Sequence, residues 1–98
     1  MADRTNERLG ASFSLPDRVT VRQQLGYYSE AGLARGAELW LRLWMGARNI
    51  VADWKCEIFP DPLADLDDIT DPRVTEIVIW AALETKTYMD ALDTVPKN

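Results

Sequence analysis

Trp40, Leu43, Trp44, Ala47, Val51 and Trp54 recur at intervals of three and four residues, the spacing that gathers side chains on one face of an α-helix at 100° per residue. A chain of 98 residues has room for a single core. A face holding three of its four tryptophans is therefore read as the centre of that core rather than as a ligand grip. The stripe predicts a long central helix beginning between Leu33 and Glu38 and running to about Lys55. Gly46, one residue before the stripe's Ala47, marks either a close helix crossing or a loss of about 1 kcal/mol of helix propensity.

Two more helices are expected around it. Thr20-Val21-Arg22-Gln23 has the form of a capping box, with the threonine hydroxyl and the glutamine side chain satisfying each other's backbone amides. Val21, Leu25 and Tyr28 then form an apolar stripe, and Gly32 can end that helix in the left-handed conformation. Asp71-Pro72 sets an acidic cap before a proline, which loses nothing at the first helical position. The helix it starts should run to about Leu92, with Val74, Ile77, Val78, Ala81, Thr85, Tyr88 and Leu92 on one face and Val95-Pro96 beyond its end. The β-branched run Ile77-Val78-Ile79 would permit a strand, but cap and period favour the helix.

The remainder reads as non-helical. Residues 1–12 are polar and expected to fray. Phe13 and Leu15 alternate with Ser12 and Ser14 ahead of Pro16, suggesting a short extended strap against the helices. Glu57 to Pro72 is a loop broken by Pro60, Pro62 and Pro72 and crowded with Asp61, Asp65, Asp67, Asp68 and Asp71. The expected architecture is one all-α domain: three main helices, a short extended N-terminal segment and a long acidic loop.

Composition narrows the chemistry. There is no histidine, so the commonest general base and zinc ligand is missing, and Ser-His, Cys-His and His-metal sites cannot be built. Cys56 is the only cysteine, which excludes an intrachain disulfide and points to a reducing compartment. The aspartate-rich loop lacks the glycine that an EF-hand needs at its sixth position, Ile69 following Asp65, Asp67 and Asp68, so a solvated acidic loop is favoured over a calcium site. No cofactor is expected. The N-terminus lacks the apolar core of a secretory signal, and no stretch approaches the roughly 20 apolar residues of a membrane span. Cytoplasmic residence follows by elimination.

The net charge of −5 is unevenly spread. Met1 to Cys56 holds eight basic and six acidic residues, a balance of +2, while Glu57 to Asn98 holds three basic and ten acidic, a balance of −7. Nucleic-acid binding wants a clustered basic surface, whereas this split suits self-association or a basic partner. Leu41, Met45, Ile79, Trp80 and Leu83 fall off the core stripes. Either Leu63, Leu66 and Ile69 of the loop cover them, or they form an oligomer interface. The edge of the first helix, Arg22, Gln23 and Tyr27, is the candidate partner-binding surface, with Tyr27 open to a plain packing role as well.

Phe13-Ser14-Leu15-Pro16-Asp17-Arg18-Val19-Thr20-Val21-Arg22-Gln23-Gln24-Leu25, the acidic Asp61-Pro62 to Asp68 segment, Asp71-Pro72-Arg73-Val74-Thr75-Glu76 with Trp80-Ala81, and the closing Val95-Pro96-Lys97-Asn98 resemble the short tail assembly chaperones of long-tailed bacteriophages. The resemblance covers about residues 13 to 98. It implies a small, mostly helical, non-enzymatic protein that acts in the infected host's cytoplasm and is absent from the mature virion. Such a protein binds the tape measure protein while the tail tube polymerises. In many phages of this kind a −1 ribosomal slip near the end of the gene appends a domain that recruits tail tube protein. Pro96-Lys97-Asn98 can be encoded CCA AAA AAC, which contains a sequence permitting that slip. The competing expectations are an acidic phage or plasmid inhibitor of a host defence nuclease and a generic protein-interaction module. An enzyme has no candidate residues beyond ordinary carboxylates.

Overall fold

The computed structural model describes residues 2–93. The Val95-Pro96 helix stop and the Pro96-Lys97-Asn98 slip site lie outside the described residues.

The expected all-α architecture is overturned. Three strands, β1 (Ala2–Asn6), β2 (Ala11–Leu15) and β3 (Ala52–Cys56), form an antiparallel sheet in the order β1-β2-β3. They accompany three helices, α1 (Val21–Ala31), α2 (Leu39–Ala47) and α3 (Arg73–Asp93), with single 3-10 turns at Gly36–Glu38 and Leu66–Asp68.

The N-terminal residues expected to fray are therefore a strand. A hairpin over Glu7 to Gly10 returns the chain: the Asn6 side chain accepts the Leu9 amide at 3.1 Å, and Gly10 takes φ +66°, which glycine adopts at little cost. The Ser-Phe-Ser-Leu alternation does give an extended segment, and it becomes the central strand, with Ala11, Phe13 and Leu15 buried.

The central helix has nine residues and stops well short of the end of its stripe at Trp54. It ends at Ala47, where the Asn49 carboxamide donates to the Met45 and Gly46 carbonyls at 3.3 and 3.2 Å and satisfies groups that a helix end leaves open. Val51 and Trp54 continue the 3.6-residue phase by coincidence. Two residues of β3, Asp53 and Trp54, oppose the single Phe13 of β2, a bulge in which Asp53 takes φ +51°. The bulge turns Trp54 onto the core, where it stacks on Phe13 at 5.8 Å, meets Trp44 at 5.5 Å, and donates its indole N–H to the Phe59 carbonyl at 2.7 Å. Trp54 thus reaches the expected core from a strand.

The helix starts follow the sequence. Thr20 and Gln23 make both capping-box bonds. Asp71 accepts the Arg73 amide at 3.0 Å, and α3 begins at Arg73, one residue past the expected start at Pro72. Gly32 ends α1 with φ −64°, in the right-handed region, so its expected left-handed role is not used. On α3 the buried face is Val74, Ile77, Val78, Ala81, Ala82, Thr85 and Met89, while Leu92 is exposed. The Thr85 hydroxyl donates to the Ala81 carbonyl at 2.9 Å.

The helices pack in the order α1, α2, α3, with α2 in the middle. The sheet covers α2 and α3 through an aromatic cluster of Phe13, Trp44, Trp54, Phe59 and Trp80. The Tyr88 hydroxyl donates to the Pro16 carbonyl, tying α3 to the end of β2. Burial, and secondarily the charge of Asp17, pushes that phenol above the ordinary tyrosine range.

Candidate functional site

Helix α1 presents the wrong face outward for a simple core helix. Val21, Leu25 and Tyr28, its apolar stripe, are exposed, at 72%, 67% and 39%. Its inward side carries Gln23, Gly26, Tyr27 and Glu30, of which only Tyr27 is fully buried. Burying a valine or leucine fully is worth about 1.5–3 kcal/mol, so a helix free to rotate would turn its stripe inward.

Three contacts prevent that rotation. Arg42 of α2 donates to the Glu30 carboxylate at 2.9 Å, with both side chains half-buried. That bond, with the further charge of Glu38, raises the guanidinium above its ordinary range. Gly46 of α2 lies against the α1 backbone, where a Cβ would stand 2.7 Å from the Tyr27 carbonyl oxygen. Gly26 of α1 leaves room for Asn49, whose carboxamide an added Cβ would meet at 2.7 Å. Gly46 therefore marks a close crossing, the first of the two readings of its position.

On the other side of α2 an open groove of about 260 Å³ runs between α2, the Leu66–Asp68 turn and the start of α3. Trp40, Leu41, Leu66, Ile69, Val78 and Ile79 line it. Trp40, expected in the core, is instead 37% exposed on this wall. The loop does fold back, as Leu66 and Ile69 pack against the core, but Leu63 stays exposed and the groove remains open.

The five residues expected to form an oligomer interface divide around this groove. Leu41 and Ile79 line it. Met45 and Leu83 lie one turn further along the same ridges of α2 and α3, half-buried and exposed respectively. Trp80 is drawn away to the sheet, edge-on to Phe13 at 5.1 Å. Of the three residues expected to bind a partner, Arg22 alone is exposed and unengaged. Tyr27 is 3% exposed and packs at the α1–α2 crossing, and the Gln23 side chain is turned back to the Thr20 amide at 2.9 Å. Sequence periodicity located the α1 stripe but not the direction it faces; it set Leu41 and Ile79 off the core stripes with Leu66 and Ile69 as possible cover, whereas the open groove among them depends on where the loop comes to rest.

Charge is distributed around these two apolar surfaces in opposite senses. Among the described residues no carboxylate lies within ion-pair distance of Arg18, Arg22 or Arg48 around α1. Asp67 and Asp68, between Leu66 and Ile69 on the groove's rim, are likewise without a cation. Asp71 is engaged by Arg73 at 2.7 Å. The Arg73 side chain, then its backbone amide, hold that carboxyl below its usual range.

No known protein family, curated protein or solved structure matches the chain. Among the described residues no three ligand side chains converge as a metal site would require, and no helix is long and apolar enough to cross a membrane. Asp61 and Asp65 of the acidic loop are occupied locally, accepting the amides of Leu63 and Asp67 at 2.9 Å each. Two apolar surfaces thus stay uncovered in the chain, the Val21–Tyr28 stripe of α1 and the groove between α2 and α3.

Proposed function

We propose that this protein is a non-enzymatic tail assembly chaperone of the long-tailed-phage kind, which holds an apolar helical stripe of the tape measure protein until the tail tube closes around it. The observation that carries the reading is the open groove between α2 and α3, lined by Trp40, Leu41, Leu66, Ile69, Val78 and Ile79. Helix-in-groove recognition needs such an apolar trough with polar residues at its margin to fix register. A long helical chain with bare apolar stripes aggregates unless they are covered during assembly. The family resemblance supplies the identity of that chain.

The sequence supports a role without catalysis, because it contains no histidine and a single cysteine. In this role the protein works in the cytoplasm of the infected cell and is left out of the mature virion. Tail tube protein is its second partner, recruited by a frameshifted longer form.

Co-expression with the tape measure protein of the same phage tests the reading. The wild-type chain should keep the tape measure protein soluble, and Leu41→Asp, which places a charge in the trough, should not. A tape measure protein that precipitates beside the wild-type chain, or that Leu41→Asp keeps equally soluble, refutes it.

A further inference from the structure

The apolar stripe of α1 and the α2–α3 groove are complementary to each other. Val21, Leu25 and Tyr28 project from α1 at spacings of four and three, a two-turn ridge about 10 Å long. The groove is a trough walled by two helices and a turn. Arg22 stands beside Val21 and Leu25 of the ridge and Arg18 lies in the segment just ahead of α1, while Asp67 and Asp68 belong to the turn that walls the trough; the described residues supply none of the four with an ion-pair partner. Four other arginines are paired within the chain, Arg4 with Glu84, Arg8 with Glu76, Arg42 with Glu30 and Arg73 with Asp71, while Arg35 and Arg48, like Arg18 and Arg22, have no ion-pair partner among the described residues.

One chain cannot bring the two surfaces together. Helix α2 lies between α1 and α3, and the contacts of Glu30, Gly46 and Asn49 fix α1 with its stripe turned away from α2. We infer that α1 of one copy seats in the α2–α3 groove of a second copy, Val21, Leu25 and Tyr28 entering the trough while Arg18 and Arg22 face Asp67 and Asp68. The contact joins two different surfaces, so it is head-to-tail and leaves a free ridge at one end and a free groove at the other, the arrangement that builds rings or open chains. A single helix in a single groove is at the small end of protein interfaces, and association on the order of micromolar is expected. The groove is the one proposed for the tape measure helix, so the two occupants would compete for it; self-association is tested on the purified chain alone, and its failure leaves the tape measure reading to its own co-expression test.

Two variants test it, each at an exposed position so that folding is preserved. Leu25→Asp spoils the ridge and leaves the groove, whereas Leu41→Asp spoils the groove and leaves the ridge. Sedimentation at about 100 µM should show oligomers for the wild-type chain and monomers for each variant alone, association being weakened at least about tenfold. An equimolar mixture of the two variants should give a heterodimer and nothing larger, because one intact ridge meets one intact groove. Arg22→Glu should weaken the wild-type association, and high salt should do the same. Circular dichroism of each variant separates lost association from lost fold. A wild-type chain that stays monomeric at low salt, or variants that fail to pair when mixed while remaining folded, would overturn the inference.

Discussion

Replacing Gly46 by alanine sets two effects of known sign against each other. Glycine to alanine inside a helix normally gains up to about 1 kcal/mol, and less here, because Gly46 is one residue from the end of α2. Against this, the added Cβ would stand 2.7 Å from the Tyr27 carbonyl oxygen, 3.3 Å from Tyr27 Cδ1 and 3.4 Å from the Ala31 amide nitrogen. Two of those three neighbours are backbone, so relief requires α1 to back away as a body, loosening the Arg42–Glu30 pair and the buried Tyr27 with it. Overpacking of this sort costs about 1–3 kcal/mol, leaving a net loss of about 1–2 kcal/mol. For a domain of this size that lowers the melting temperature by roughly 5–15 °C. Gly26→Ala is the control. Its Cβ would meet only the Asn49 carboxamide, a side-chain end that can rotate away. Losing the bonds of Asn49 to Met45 and Gly46 costs about 1 kcal/mol, which the helix propensity gained in mid-α1 offsets. Thermal melts should show Gly46→Ala clearly destabilised and Gly26→Ala close to wild type. A Gly46→Ala protein as stable as wild type would refute the close crossing, and with it the reason α1 holds its stripe outward.

Trp44 is fully buried against Trp54 and Phe59, so Trp44→Ala should cost about 3–5 kcal/mol in a urea titration. Asp53 holds a left-handed conformation in the β3 bulge, so Asp53→Val should lose about 1–2 kcal/mol by the same titration while Asp53→Gly should not. Arg73 depresses the Asp71 carboxyl. The stability this contributes is present above the ordinary aspartate range and lost as pH falls through the lowered value, so Asp71→Asn should flatten the acid limb of a pH-stability profile.

What the sequence made legible was local. Thr20 with Gln23, and Asp71 ahead of Pro72, mark helix starts through bonds between residues close in the chain, the first where expected and the second one residue later. The serine-alternating Phe13-Leu15 segment was legible as extended but not as the middle of a sheet, because its partners lie on both sides of it in sequence. The central stripe misled because Trp54 keeps helical phase with Trp44 while belonging to a strand beyond Asn49. Periodicity records which residues are apolar, and a bulge at Asp53 can deliver the same side chain to the same core. The α1 stripe was legible as a stripe, but the direction it faces was not. Its exposure follows from a glycine in α2 and an ion pair across two helices, neither of which helical periodicity can register.

Cross-linking from within the groove tests the chaperone reading most directly. A photoreactive side chain placed at Leu41, in cells also making the phage's tape measure protein, should yield a covalent adduct at the combined mass of the two chains. The same group at Leu92, exposed on α3 and not among the groove's lining residues, should yield none. Adducts of equal yield from both positions, or no tape measure adduct from Leu41, would contradict the account.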